Sequence, residues 1–375
     1  MATTRNFRSL TLSLALLAGL TFAELAWSDD NAKLGTLYTQ HNLVSDGGVP
    51  APHVDPNLKN GWGVAFNPNG FVWVADNGTG KATLYDGNGV PQSLVVAIPG
   101  PGAAPGTPTG IVFSGSNDFM VTKGGVSGPS RFIFATEDGT ISGWAPNVDL
   151  THAILVVDSS NSSAVYKGLA LAANGNGNFL YAADFHNGKI AVFDNKFHPA
   201  TLPGNFSDPH LPPGFAPFGI QNLNGNLYVS YAKQNAELHD DVAGPGLGFV
   251  NVFNANGQFI RRIASRGPLN APWGLALAPA DFGIFSNSLL VGNFGDGRVS
   301  AYDLPTGNFL GQMRGPDGKR LVIDGLWGIA FGNGILNQPT NVLFFAAGPN
   351  GEKDGLYGRI ESSNNGLFDF SGEGE

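Results

Sequence analysis

One five-residue motif recurs six times along this chain, and it constrains the fold more than any other feature. The copies are Trp62-Gly63-Val64-Ala65-Phe66, Thr109-Gly110-Ile111-Val112-Phe113, Lys167-Gly168-Leu169-Ala170-Leu171, Phe218-Gly219-Ile220-Gln221-Asn222, Trp273-Gly274-Leu275-Ala276-Leu277 and Trp327-Gly328-Ile329-Ala330-Phe331. Their glycines are 47, 58, 51, 55 and 54 residues apart. A period near fifty with variable insertions belongs to propeller blades, each a four-stranded antiparallel sheet. A glycine in the first strand has a physical reason: inner strands crowd around a central channel, and a position without a side chain lets backbones approach.

The segments after each copy fit the same unit. In the first, Phe71 to Ala75, Lys81 to Tyr85 and Ser93 to Ile98 read as the second, third and fourth strands. Later copies repeat the second and third at Phe179 to Ala183 and Lys189 to Phe193, and at Leu227 to Ala232 and Phe249 to Phe253. Leu289 to Gly292 pairs with Arg298 to Tyr302 in the same way, and Val342 to Ala346 with Gly355 to Ile360. The sixth copy has only three strands, while Thr36 to Val44 is strand-like and has no blade of its own. The expectation is an all-β, six-bladed propeller over residues 29–362, its ring closed by the N-terminal strand completing the last blade, so that no sheet edge stays open. Residues 363–375, rich in Gly, Asn and Ser, read as a tail.

Composition agrees. With 54 Gly and 25 Pro among 375 residues and only 13% charged, the chain is too turn-rich for a coiled coil. Its 42% hydrophobic content makes it too apolar to be disordered. Arg5 and Arg8, the uncharged run Leu10 to Ala23 and the small residues of Ala26-Trp27-Ser28 read as a signal peptide over residues 1–28, hence an exported protein, periplasmic or extracellular. The apolar run is short for a membrane span, so no membrane insertion is expected after cleavage. There is no Cys, so burial and strand pairing alone must hold the fold. The net charge of −9, without a basic run, argues against nucleic acid as a partner. A monomer is expected.

The blade pattern resembles the six-bladed propellers of the NHL and SMP-30/gluconolactonase group. More closely, the chain resembles an exported bacterial family of conserved hypothetical propellers. The residues that carry this are Tyr38 to Asp46 (YTQHNLVSD), Tyr231 to Gly246 (YAKQNAELHDDVAGPG) and Asp324 to Gly332 (DGLWGIAFG). That resemblance implies the fold and brings no activity with it. The SMP-30-like lactonases imply a divalent cation held at the channel mouth by an acidic residue of blade one and Asn or Asp just before the inner-strand glycines. Here those positions are Trp62, Thr109, Lys167, Phe218, Trp273 and Trp327, none of them a carboxylate or Asn.

No nucleophile elbow, zinc-protease helix, P-loop, dinucleotide fingerprint or EF-hand loop occurs. Any site must therefore be assembled from different blades. Three constellations stand out. The long loop Lys233 to Gly248 of blade four carries Glu237, His239, Asp240 and Asp241, oxygen-rich enough for a hard cation such as Ca²⁺, or simply a solvated acidic loop. Asp76 and Asn77, Asp184 and His186, and Asn293 end second strands on the same face. Asp184, His186 and Asn293 flank the blade-four loop and would join it in a site over blades three to five, with His186 or His239 as general base. The alternative is that the Asp and Asn residues of this set cap their own turns. Trp62, Phe218, Trp273 and Trp327 stand at equivalent places; facing the channel they would form a stacking platform for a ligand. Strand alternation instead places them in large-against-small packing between neighbouring blades.

The function expected is an exported propeller that binds a small molecule, glycan or protein on its loop face. The alternative is a divalent-metal-dependent hydrolase or lactonase of the SMP-30-like type, in which the cation polarises a carbonyl and activates water.

Overall fold

The computed structural model describes residues 36–363. The expected signal peptide (1–28) and all but the first residue of the expected tail (363–375) lie outside them. Six antiparallel sheets form the blades of a ring, with almost no helix. Blade one comprises Gly61–Phe66, Val72–Asp76, Lys81–Tyr85 and a short Val96–Ala97, narrower than the fourth strand expected there. Blade two comprises Pro108–Phe113, Phe132–Thr136, Thr140–Trp144 and Ile154–Asp158. A separate hairpin, Met120–Lys123 with Val126–Pro129, is inserted after its first strand. Blade four runs from Phe215–Leu223 through Asn226–Lys233 and Gly248–Asn254 to Phe259–Ser265. Blade five is Pro272–Leu277, Leu289–Asn293, Val299–Tyr302 and Phe309–Gln312.

Blade three departs from the four-stranded unit. It has Tyr166–Ala173, Asn178–Asp184 and Lys189–Phe193 only. A fourth strand starts, with the Ala200 N–H donating to the Val192 carbonyl at 2.9 Å. The chain then leaves: Gly204 and Phe206 donate to the Asn256 and Gly257 carbonyls of blade four, where Phe206 is buried. Pro203, which cannot donate to a ladder, stands at the departure.

Blade six consists of Leu326–Phe331, Leu343–Ala347 and Leu356–Ser363, and its outer strand is Leu37–Ser45, antiparallel to Leu356–Ser363. The N-terminal strand thus closes the ring as expected, with Leu37 opposite Ser363.

Between blades lie apolar seams, such as Trp73, Phe132 and Trp144 where blade one meets blade two, with the Trp73 and Phe132 rings stacked at 4.2 Å. Each such side chain removed from water contributes about 1.5–3 kcal/mol. The innermost seam is backbone on backbone. A Cβ on Gly63 would lie 2.5 Å from the Thr109 carbonyl oxygen, on Gly219 2.0 Å from that of Trp273, and on Gly328 2.4 Å from that of Trp62. Contacts of this kind continue from blade to blade and return from six to one, which is why the repeat keeps its glycine.

Candidate functional site

Each inner strand carries a register shift at its motif: between Gly61 and Val64, Tyr166 and Gly168, Pro217 and Ile220, Pro272 and Gly274, and Leu326 and Ile329. Blade two shifts opposite Phe134/Thr136, beside Thr109. A bulge breaks alternation and re-aims the side chain it carries. The residue before each glycine therefore does not obey the alternation that assigned it to a seam between blades.

The result corrects the packing expected for the aromatic residues. Trp62 and Trp327 stack with ring centroids 3.5 Å apart, and Trp273 stands edge-on to both at 6.0 and 5.8 Å. Phe218 packs on Trp327 at 5.7 Å. Blades four and six, like five and one, are not neighbours, so these contacts cross the channel. The four aromatics are buried in one cluster with Phe185 and Phe294 and form a plug, leaving no exposed ring faces for a stacking platform. Below the plug, toward the ends of the inner strands, lies a channel cavity of about 420 Å³ lined by residues such as Phe66, Phe113, Leu171, Asn222 and Phe331.

Above the plug sits the polar cluster. Lys167, the bulge residue of blade three, has a side chain only 2% exposed, with its Nζ 5.2 Å from the Trp62 ring centroid. The ammonium donates to Glu137 Oε1 and, at 3.2 Å, to Asp240 Oδ1. The Trp273 indole N–H donates to the Lys167 carbonyl at 2.9 Å, tying the plug to the cluster. Glu137 also accepts from Asn77 Nδ2 at 2.7 Å. Asn60 Nδ2 reaches Asn77 Oδ1 at 3.3 Å and Glu352 Oε1 at 2.9 Å, while Asn60 Oδ1 accepts from the Trp327 indole at 3.2 Å. His239 Nδ1 lies 2.9 Å from Asp240 Oδ1.

Electrostatics sets the protonation of these groups. Burial would discharge Lys167, but Glu137 and Asp240 outweigh it and hold the amine above its usual range, firmly charged. Asp240 feels burial too, yet Lys167 and His239 keep its carboxyl below the ordinary value. Asp241 goes the other way. Burial, with Glu352 and Asp240 adding to it against the pull of Lys167, pushes its carboxyl up to about 7. Glu352 is likewise raised, first by desolvation of its carboxyl and then by the charge of Glu137. Donor atoms of Glu137, His239 and Asp240 all lie within 4.8 Å of one another, a spacing a metal ion could bridge.

Of the residues singled out in the sequence, Asn77, His239, Asp240 and Asp241 enter this cluster, and Trp62 and Trp327 floor it. Glu237 is exposed and makes none of its contacts. His186 stays outside; only its backbone carbonyl meets Gln234. Asp184 is turned into its own hairpin, accepting from the Asn187 side chain at 2.9 Å and from the Val165 N–H at 3.3 Å. Asn293 donates to the Pro268 carbonyl and to Asp296. Asp76 is wholly buried, away from the mouth contacts. The site therefore spans blades four, three, two and one with Glu352 from blade six, instead of blades three to five.

Glu137, Glu352 and Asn60 carry no mark in the linear sequence that sets them apart, whereas Lys167 is the one charged residue among the six that precede the motif glycines. A signal for part of them exists. The residue one past the end of each second strand faces the channel top: Asn77, Glu137, Phe185 and Phe294 in blades one, two, three and five. Reading that column beside the bulge column separates a polar sector from the apolar plug.

These features define a six-bladed β-propeller whose channel is closed by an aromatic plug under a charged mouth. Two uncharacterised proteins of Acanthamoeba polyphaga mimivirus are each 35% identical to the chain. One matches over 334 residues, 87% of this chain and 80% of its own length; the other over 326 residues, 85% and 84%. The chain belongs to the family of these proteins. These relatives are viral, whereas the segments Tyr38 to Asp46, Tyr231 to Gly246 and Asp324 to Gly332 pointed to an exported bacterial family; the propeller is what is common to both. No family model matches the chain. Among solved structures, a Bacteroides thetaiotaomicron protein of unknown function is similar at TM-score 0.55 and 13% identity, covering 87% of this chain and 76% of that one. A glucose dehydrogenase is similar at TM-score 0.51 and 14% identity, covering 87% and 100%. At such identities the likeness is one of fold alone.

Proposed function

We propose that the protein is a binding propeller whose charged mouth takes a small, positively charged organic ligand, an amine, from the solution outside the cell. One observation carries this reading: Glu137, Asp240, Asp241 and Glu352, from three different blades, converge around a single ammonium, Lys167. Carboxylates outnumber the buried cation, and Asp241 stays partly protonated near neutral pH because burial, with Glu352 and Asp240 beside it, outweighs the pull of Lys167. A ligand ammonium would supply the missing charge, release the proton of Asp241 and take the exposed carboxylate of Asp240 as a partner. Blades one and six add amide and carboxylate acceptors through Asn60, Asn77 and Glu352.

A second reading is favoured by the spacing of Glu137, His239 and Asp240 alone: a divalent cation between them, with Asp241 as general base for hydrolysis. Lys167 weighs against it, because its ammonium already occupies the contacts of two of those three ligands. Calorimetric titration separates the two. Under the first reading, primary amines bind with proton release near pH 7, and Asp241→Asn abolishes the release. Under the second, Ca²⁺, Mg²⁺, Mn²⁺ or Zn²⁺ binds instead and lactone or ester hydrolysis results. Binding of neither amines nor cations would overturn both.

A further inference from the structure

Away from the mouth, where blade one faces blade six, one acidic side chain has none of the partners its counterparts have. Asp76 ends the second strand of blade one, as Asp184 and Asn293 end those of blades three and five. Those two are hydrogen-bonded into their own loops. Asp76 is 0% exposed, and neither of its carboxylate oxygens accepts a well-formed hydrogen bond, Thr83 being the donor within reach. The loop donor that Asp184 uses has an equivalent here that is already engaged, since the Asn60 N–H donates to the Asp354 carbonyl at 3.1 Å.

Other oxygen groups surround it. Thr83 pairs with Val74 on the neighbouring strand, which puts its hydroxyl on the same sheet face as Asp76. That oxygen is buried within reach of Asp76 and Tyr85 and makes a well-formed bond to neither. Tyr85 comes next on this face and donates its hydroxyl to Asp55 Oδ2 at 3.0 Å. Asp55, 7% exposed, uses its other oxygen for Asn57 and lies close enough to act on Asp76 through its charge. Lys81 is the nearby cation, and its ammonium is turned to Asn57 Oδ1 at 2.7 Å. Two carboxylates and a hydroxyl are buried together, and the Lys81 ammonium, opposite Asp76 on the ladder, acts on Asp76 only through its charge because its hydrogen bond goes to Asn57. The arrangement is costly unless a proton or an ion completes it.

We propose that Asp76, Asp55 and Thr83 hold a hard divalent cation, Ca²⁺, in the seam between blades one and six. The ligand set is all oxygen, as Ca²⁺ requires, and the seam is where the first and last blades must stay joined. The ion is structural here and takes part in no chemistry at the mouth.

The test uses the whole protein, stripped with chelator and then given Ca²⁺ alone, with thermal unfolding and metal analysis after dialysis as readouts. The expected result is about one retained Ca²⁺ per chain and a midpoint rise of a few degrees at saturation. The same rise should appear in an Asp240→Asn/Asp241→Asn double variant, whose mouth is disabled, and should vanish in Asp76→Asn. If Asp76→Asn does not fold, Thr83→Val serves, with Ca²⁺ affinity expected to fall about tenfold. A Ca²⁺ response that is lost in the mouth variant but kept in Asp76→Asn would overturn the proposal, placing the ion at the mouth. No Ca²⁺ response in the wild type would also overturn it, leaving Asp76 neutralised by a proton.

Discussion

Trp62 of blade one and Trp327 of blade six stack at 3.5 Å with their planes 17° apart, joining the first and last blades at the axis of the ring. Replacing either with Ala removes a buried ring and leaves a void the surrounding β-sheets cannot fill. The expected cost is about 3–5 kcal/mol, read from urea unfolding. The stacked indoles should also give a coupled circular dichroism signal that disappears in either variant. A wild-type spectrum in Trp62→Ala would mean that the rings do not stack.

Lys167 organises the mouth. In Lys167→Met the stem is kept and the ammonium lost, so Glu137 and Asp240 face each other uncompensated. Breaking a buried pair in this way costs about 3–5 kcal/mol; the half-open position of Asp240 lowers the expected figure to about 2 kcal/mol. Adding Glu137→Gln should restore part of that loss. Equal stability of the single and double variants would show that the pair is not coupled.

Asp241 should leave a mark on the pH dependence of stability. Its carboxyl, near 7 in the fold, is raised above the unfolded value of about 3.9. The folded state therefore binds its proton more tightly. The stability from this group is complete below pH 4, falls as pH rises, and is gone above pH 7. Asp241→Asn should flatten the pH 4–7 part of the stability curve and be the more stable protein at pH 8. A parallel curve in the variant would refute the raised value.

The blade count and closure were legible because they rest on local chemistry repeated six times: a glycine that only a backbone neighbour explains, with alternating strands after it. The direction of Trp62 and Trp273 was not, since a bulge at the motif reverses the face that alternation predicts. The mouth was half legible for a related reason. His239, Asp240 and Asp241 cluster along the chain and draw the eye, while Glu137, in a Glu-Asp-Gly turn, and Glu352 lie on other blades that only ring closure brings to Lys167. Asp184 and Asn293 read as ligands because they stand on the correct face; the structure shows their hydrogen-bonding capacity turned to local turns.

The glycine argument can be checked directly. Gly219→Ala would place a methyl 2.0 Å from the Trp273 carbonyl oxygen, and that partner is backbone and cannot rotate away. The inner strands of blades four and five must separate, at a cost of about 3 kcal/mol or more. Gly177→Ala is the matched control: its new methyl would meet only the Phe179 ring, at 3.8 Å. That variant should stay within about 1 kcal/mol of wild type. Equal unfolding midpoints for the two would remove the close-approach explanation of the repeat.

Ring closure by Leu37–Ser45 predicts the outcome of losing it. Tyr38 in that strand donates its hydroxyl to the Phe282 carbonyl at 3.0 Å and stacks on Phe285, so the strand ties blade six to blade five as well as completing it. A chain beginning at Asp46 would expose the backbone edge of Leu356–Ser363 and the apolar surface around Phe282 and Phe285. Bare edges of this kind pair with other chains. Size-exclusion chromatography should find the shortened protein self-associated and its urea transition broad. Tyr38→Phe, which removes only the hydroxyl, should elute as the full-length protein does and lose about 1 kcal/mol. A shortened chain that runs as a monomer with an unchanged transition would mean that the ring is closed by something other than this strand.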